Sequence, residues 1–281
     1  MSLVPMKQLL TEAEQGGYGV GAFSVANMEM ILGAVKAAEE LQSPLILQIA
    51  EVRLPYSPLN IIAPMMVAAA KEASVPVAVH FDHGKTIECI QQALELGFTS
   101  VMIDASGLPI EENIKITKEV RKLADVYGAT VEAEVGQIGV SEDGVAEGER
   151  IYSDPREVRR LQTEAEPDAI ALSIGNAHGL YKKEPKLNFE VLKSSRSLTG
   201  MPLVLHGGTG ISEEDFKCCI AHGIRKINVA TATFLAVEQA AREYAATQDK
   251  RDYFALSNHM VQEAYENVKK HMLIFGSAGR A

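Results

Sequence analysis

Tryptophan is absent, cysteine is rare and no apolar run is long. The three cysteines, Cys89, Cys218 and Cys219, include an adjacent pair and no CxxC spacing. That argues against both a disulfide framework and a thiolate zinc site, and it suits a reducing compartment. No hydrophobic stretch approaches the roughly 20 residues that span a bilayer. The opening MSLVPMKQLLTEAEQGG acquires Glu12 and Glu14 too early for a secretory signal. The expected location is cytoplasmic. Positive charge is also short: 27 lysines and arginines face 37 acids, a formal charge of −10. Such a field repels phosphate polymers, so neither nucleic acid nor an anionic membrane is an expected partner. A small anion can still enter a local positive pocket.

What is present is an alternation. Short apolar runs recur at 20–25, 44–50, 75–81, 100–104, 129–135, 169–174, 202–206 and 226–230, with amphipathic segments of helical period between them. Asn27, Asp154 before Pro155, and Ser212 read as helix starts. Gly97, Gly128 and Gly223 sit where helices end. Eight strands alternating with helices predict an α/β fold, a single (β/α)8 TIM barrel over residues 1–281. A doubly wound sheet shares the alternation, but no GxGxxG follows the first strand, which weakens its dinucleotide-binding version. Residues 257–275 carry helical apolar spacing and form a C-terminal helical extension that docks either on its own barrel or on another copy, so a homo-oligomer, dimer or tetramer, is expected.

The run VPVAVHFDHGK (75–85) ends in a knot of ionisable groups. His83, His178 (in SIGNAHG) and His206 (in VLHGG) each lie at or just beyond the C-terminal end of a strand, next to glycine. In a barrel those ends share one face. Each histidine alone reads more readily as a strand-end cap or as a partner of a backbone carbonyl; three repetitions favour convergence on a catalytic zinc ion with one position open. Acids gather on the same face: Asp82 before a proposed ligand, Asp104 ending strand four, and Glu132 and Glu134 in strand five. The period of two puts both glutamates on one side of their strand. If that side is the barrel interior, histidines and a metal compensate their burial. His80 shares the parity of Asp82 and is expected to support the site by hydrogen bonding.

HGGTG (206–210) and NVATAT (228–233) each join a strand to a helical segment through small residues. Backbone N–H groups, a hydroxyl and helix N-termini there make an anion site in the loops after strands seven and eight. Lys182, close in sequence to His178, adds charge. The glycine-rich acidic stretch 136–155 is either a lid or a tolerated loop.

With VHFDHG, SVMIDAS, VEAEVGQIG, IGNAHGLY, PLVLHGGTGI and KINVAT in order, the chain resembles the class II, metal-dependent ketose-bisphosphate aldolases, in their tagatose- and fructose-bisphosphate branch. The resemblance implies a zinc (Zn2+) lyase that reversibly joins dihydroxyacetone phosphate to an aldehyde. It places His83, His178 and His206 on the zinc ligands, and Asp82 on the proton donor to the aldehyde oxygen. Glu142 falls on the lid glutamate that moves the C1 proton. Asp104 and Glu134 fall on acids of a secondary metal site. Gly179, Gly207, Gly208, Thr209, Asn228, Val229, Ala230 and Thr231 fall on the phosphate cradle, beside which a monovalent cation (Na+ or K+) is expected. The partner is then a small phosphorylated ketose, with an accessory subunit known for some members of this branch.

Two segments depart from the resemblance. Ser24 stands where many relatives have asparagine, and QIAEVRLPYSP (48–58) replaces a small serine- or glycine-rich turn. By the resemblance both lie toward the aldehyde end, so an aldehyde other than glyceraldehyde 3-phosphate is expected, with Arg53 facing an anionic group or simply solvent. A Schiff-base mechanism needs a lysine projecting into the barrel; strand six has none, and Lys226 is expected at the wrong end of strand eight. A metal-dependent hydrolase and a non-catalytic or partner-dependent sugar-phosphate-binding subunit are the other readings.

Overall fold

In the computed structural model, residues 2–136, 138, 152–181, 185–247 and 252–281 are described. Eight parallel strands close in sequence order: β1 (Val20–Ser24), β2 (Leu45–Ala50), β3 (Val77–Gly84), β4 (Ser100–Ile103), β5 (Thr130–Val135), β6 (Ala169–Leu172), β7 (Leu203–Leu205) and β8 (Ile224–Val229), with β8 back against β1. Each expected strand is found, and the closure decides for the barrel over the doubly wound sheet.

Helices follow the strands in turn. They are α2 (Met28–Leu41), α3 (Leu59–Glu72), α4 (Ile87–Glu95), α5 (Ile110–Tyr127), α6 (Pro155–Ala165), α7 (Phe189–Thr199), α8 (Glu213–Ala221) and α9 (Thr231–Thr247), with α1 (Met6–Gly16) before β1 and α10 (Tyr253–Phe275) at the end. Their start signals act as the sequence suggests. The side chains of Asn27, Asp154 and Ser212 accept the N–H groups of Met30, Arg156 and Asp215, which the helix itself leaves unpaired.

Strand parity divides the core in two. Phe23, Leu47, Val79, Phe81, Val101, Val131 and Leu205 point outward into the cluster shared with the helices. Val20, Ala22, Ile46, Ala78, Ala169, Ala171 and Val204 point inward, where they pack with Met6, Leu9, Leu10 and Ala13 of α1. Helix α1 therefore stoppers the N-terminal end of the barrel. Burying each of its large side chains contributes about 2 kcal/mol. Above this apolar floor the inward positions turn polar: Gln48, His80, Ser100, Glu132 and Lys226 are all wholly buried.

The α10 extension docks in cis. It lies against α2 and α9, and Gly33 admits it: a Cβ there would stand 2.7 Å from the Cβ of Ala264. Tyr265 donates its hydroxyl to Glu40 at 2.6 Å, and Asn267 donates to Thr233 at 2.9 Å.

Candidate active site

In a regular strand Asp82 and His83 would face opposite sides of the sheet. Here they do not. The pairing of β3 with β4 shifts register between Phe81 and Gly84, and His83 takes a left-handed backbone with φ 44°. This irregularity turns both side chains into one cavity. Gly84 serves the close packing of the two strands. A Cβ on it would meet the Met102 carbonyl at 2.6 Å, so glycine is what lets β3 lie against β4 there.

The loops after β6 and β7 are bolted together. Asn176 donates to the His206 carbonyl at 3.0 Å, and the Tyr181 hydroxyl accepts from the Ala177 N–H and donates to the Gly207 carbonyl. Gly207, at φ 65°, has no space for a side chain, because a Cβ would lie 2.1 Å from the Ala177 oxygen. These contacts bring His178 to His206. The ring of His83 then lies 4.8 Å from that of His178 and 4.6 Å from that of His206.

Each of the three histidines offers a ring nitrogen toward a common centre, all within 4.8 Å of one another. His83 Nδ1 pairs with Asp104 Oδ2 at 3.0 Å, and His206 Nε2 pairs with Glu132 Oε1 at 2.8 Å. With those nitrogens donating to carboxylates, His83 Nε2 and His206 Nδ1 meet at 2.9 Å as two lone pairs unless a proton or a cation lies between them. His178 Nε2 is buried without a partner. Three imidazoles, two oriented by carboxylates and one with an orphaned nitrogen, fit a zinc ion with an open position. A second set of donors, His83, Asp104 and Glu134, adjoins the first; Glu134 Oε2 has no hydrogen-bond partner and stands 3.6 Å from His206 Nδ1.

Electrostatics follow this crowding. Burial opposes the His83 cation, but the Asp82 charge and the Asp104 hydrogen bond outweigh it and push its pKa up to about 10. Burial and the His83 charge bring His178 down to about 4, and the same two causes lower His206. Burial, then the Asp104 charge, raises Glu134 to about 8. Burial works against ionised Asp82, yet the His83 and Lys226 charges hold it below its usual range. Asp82 also accepts from Asn228 at 3.1 Å and from Gln48 at 3.2 Å.

The cavity, about 560 Å3, is bordered by Asp82, His83, His178, Asp104 and Glu134. Of the expected cradle residues, Gly179, Gly207, Thr209, Asn228, Ala230 and Thr231 border it too. Gly208 and Val229 do not. Gly208 instead pins its loop to β8, donating its N–H to the Asn228 carbonyl at 3.0 Å, and Val229 is buried toward the helices. The Thr209 hydroxyl accepts the Ala232 N–H at the start of α9. Glu142 and Lys182 lie outside the described residues.

The departing segments also reach the cavity. Ser24 is buried and accepts from Gln48 at 3.1 Å. Glu51–Arg53 forms one 3-10 turn, whose Glu51 carboxylate accepts the N–H groups of Lys85 and Thr86, just beyond His83. Val52 and Arg53 border the cavity, and the Arg53 guanidinium lies 5.7 Å above the Phe234 ring.

Lys226 requires a correction. It projects into the barrel rather than lying at a remote strand end, and is wholly buried. It does not border the cavity, so a Schiff base with substrate gains nothing from it. Gln48 and Lys226 are the site neighbours missed in the sequence. Both are polar residues at inward parity in apolar strands, the same signal that marked Glu132 and Glu134.

A family profile described as Fructose-bisphosphate aldolase class-II matches residues 4–280. The chain belongs to this family. It is 41% identical over 290 aligned positions to the fructose-bisphosphate aldolase of Geobacillus stearothermophilus, covering 100% of this chain and 99% of that one. It is 38% identical to the fructose-bisphosphate aldolase of Staphylococcus epidermidis, with both chains fully covered. The crystal structure of the YdjI aldolase from Escherichia coli K12 superposes with a TM-score of 0.90 at 35% identity over 99% of each chain. The fructose-bisphosphate aldolase of Campylobacter jejuni, 22% identical with a TM-score of 0.80 over 98% of this chain and 95% of that one, shares the fold. As a member of this family the chain is a carbon–carbon lyase of the aldolase type, a class that depends generally on zinc. Among the described residues no helix is long and apolar enough to cross a membrane.

Proposed function

We propose that this aldolase reversibly cleaves a ketose 1-phosphate or 1,6-bisphosphate into dihydroxyacetone phosphate and an aldehyde, with His83, His178 and His206 holding zinc. The observation that supports it most is the meeting of three imidazoles, two of them on the cavity wall, near an ionised Asp82. A zinc ion held there supplies Lewis acidity for charge that develops on a substrate oxygen.

The remaining work falls to the chain. Asp82, kept ionised by its neighbours, takes the C4-hydroxyl proton as the C3–C4 bond breaks, and returns it to the aldehyde oxygen in condensation. Glu142, by the resemblance, exchanges a proton with the carbon that the broken bond leaves behind. Gly179, Gly207, Thr209, Asn228, Ala230 and Thr231 hold the phosphate, and so orient a substrate through a part that does not react. Lys182, Gly208 and Val229 belong to the same cradle, the last two by setting its backbone. A monovalent cation beside the cradle and a secondary metal at His83, Asp104 and Glu134 complete the reading.

The aldehyde end is where this chain departs. Arg53 has no acidic partner among the described residues, and it borders the cavity from the β2 loop. We infer that it meets an anionic group at the far end of an aldehyde other than glyceraldehyde 3-phosphate.

Cytoplasmic homo-oligomers are part of the reading. Tyr253 and Phe254, at the start of α10, are 68% and 77% exposed and offer apolar surface for association; a monomeric native mass would remove that part.

The test is a coupled cleavage assay of the zinc-loaded protein across fructose and tagatose bisphosphates and other ketose 1-phosphates, alone and as Asp82→Ala. Cleavage lost in the variant supports the assignment. Failure of the wild type on every phosphorylated ketose overturns it, and full preference for fructose or tagatose bisphosphate overturns the aldehyde inference.

A further inference from the structure

A single buried ammonium group stands beneath both halves of the site. Lys226 Nζ lies 2.9 Å from Glu132 Oε2 and 2.7 Å from Asn228 Oδ1, and nothing about it is exposed. Each partner passes the contact upward. The other Glu132 oxygen pairs with His206 Nε2, and the Asn228 amide, its oxygen engaged by Lys226, turns its Nδ2 toward Asp82 Oδ1. We propose that Lys226 is a positioning residue that sets two things at once: the orientation of the His206 ring, through Glu132, and the orientation of Asp82, through Asn228. The inference rests on reading His206 as a metal ligand and Asp82 as the proton-transfer group.

Glu132 has no accessible surface, so its carboxylate is placed wholly by the groups it touches. Lys226 holds one of its oxygens, which fixes the carboxylate plane with the other oxygen on His206 Nε2. Held from that side, the His206 ring points Nδ1 at the centre where His83 Nε2 also points. Without Lys226 the carboxylate is left buried with one oxygen unheld, free to turn to another donor, and the His206 ring loses its hold. Along the other branch, an amide that presents its oxygen to a cation has only its NH2 left for Asp82. Without the cation Asn228 can flip and set its oxygen against the Asp82 carboxylate. His80 is placed to sense the same layer: its Nδ1 pairs with Ser100 at 2.7 Å, and its Nε2 stands 3.7 Å from both Asp82 and Glu132.

Two variants separate the branches. Lys226→Met removes the charge and leaves Glu132 alone. Lys226→Met with Glu132→Gln removes both charges, and its neutral amide can still accept from His206. Zinc affinity, the visible spectrum of the cobalt-substituted protein, kcat and KM are measured on wild type and both variants, with circular dichroism to confirm folding. Lys226→Met is expected to lose about 10- to 100-fold in zinc affinity and to change the cobalt spectrum. The double variant is expected to recover the spectrum and the affinity while kcat stays down by about 10- to 100-fold, because Asn228 remains unheld. A folded Lys226→Met with wild-type affinity and spectrum overturns the His206 branch. A double variant with wild-type kcat overturns the Asp82 branch. If Lys226→Met does not fold, the double variant decides: recovered metal binding with lost kcat supports the inference, and recovery of both defeats it. Failure of the wild type itself to bind zinc or to cleave would instead count against the function proposed above.

Discussion

His83 Nε2 stands 2.9 Å from His206 Nδ1, while the far nitrogen of each ring is held by a carboxylate, Asp104 for one and Glu132 for the other. Two lone pairs so placed repel, and the arrangement is stable only when something positive is shared between them. A divalent ion and a proton are the two candidates, and they compete for the same space.

Metal removal is therefore expected to abolish activity. Chelator-treated protein is expected to be inactive and to regain full cleavage with added zinc. His206→Ala is expected to lose on the order of 1,000-fold in kcat/KM, about 4 kcal/mol of transition-state stabilisation. Metal content and steady-state rates check both; activity unaffected by chelation sinks the metal assignment.

Proton release is the second expectation. With its pKa raised to about 10, His83 in the metal-free protein holds a proton at neutral pH. Zinc uptake must expel it, so calorimetric titrations at pH 7 in buffers of different ionisation enthalpy should differ in apparent heat. The same shift gives the metal-free fold stability that is fully present below the ordinary histidine pKa, near 6.5, and lost as pH rises toward about 10. Glu134, raised to about 8, acts in the same direction: its protonated form stabilises the fold at low pH, and the gain fades between about 4.5 and 8. Metal-free Glu134→Gln should show a flatter fall in denaturation midpoint across that window.

Gly207→Ala should damage both stability and binding. Its backbone is left-handed, and the added methyl would press on the Ala177 oxygen. We expect a loss of about 1–3 kcal/mol from the backbone conformation alone, with KM rising for phosphorylated substrates because the loop carries both His206 and residues of the proposed phosphate cradle. Thermal denaturation and KM measured side by side test this; an unchanged midpoint contradicts it.

Arg53→Gln separates the aldehyde end from the phosphate end. For ketose phosphates whose far end is anionic, KM should rise about tenfold, roughly the 1.4 kcal/mol of one exposed charged contact. Substrates with a neutral far end should be unaffected. An equal effect on both would show that Arg53 braces the loop through Phe234 rather than meeting substrate.

Gly33→Val tests the extension. The crossing of α2 and α10 leaves no space at Gly33, since an added Cβ would stand 2.7 Å from both the Val261 carbonyl oxygen and the Ala264 methyl. Overpacking of this kind costs about 1–3 kcal/mol. A drop in thermal midpoint with unchanged kcat is expected, since α10 lies on the helical shell.

Much was legible along the chain because its signals are local. Eight apolar runs, the caps at Asn27, Asp154 and Ser212, and the glycines that end helices each act within a few residues. The parity of Glu132 and Glu134 was readable for the same reason: strand geometry has a fixed period. Other parts were not. Whether α10 docks in cis depends on Gly33 meeting Ala264, more than two hundred residues apart. That Asp82 and His83, though adjacent, face one cavity depends on a register shift against β4, and no property of either residue announces it.

The amino-acid order by itself determined the alternation of strands and helices, the acidic and histidine-rich strand ends, and which strand positions share a face, since backbone periodicity and capping are short-range. Tertiary structure alone decided that the sheet closes, that Lys226 lies inside it between Glu132 and Asn228, and that three distant imidazoles meet. Those outcomes depend on register and packing across the barrel, where a shift of one residue turns every side chain to the other face.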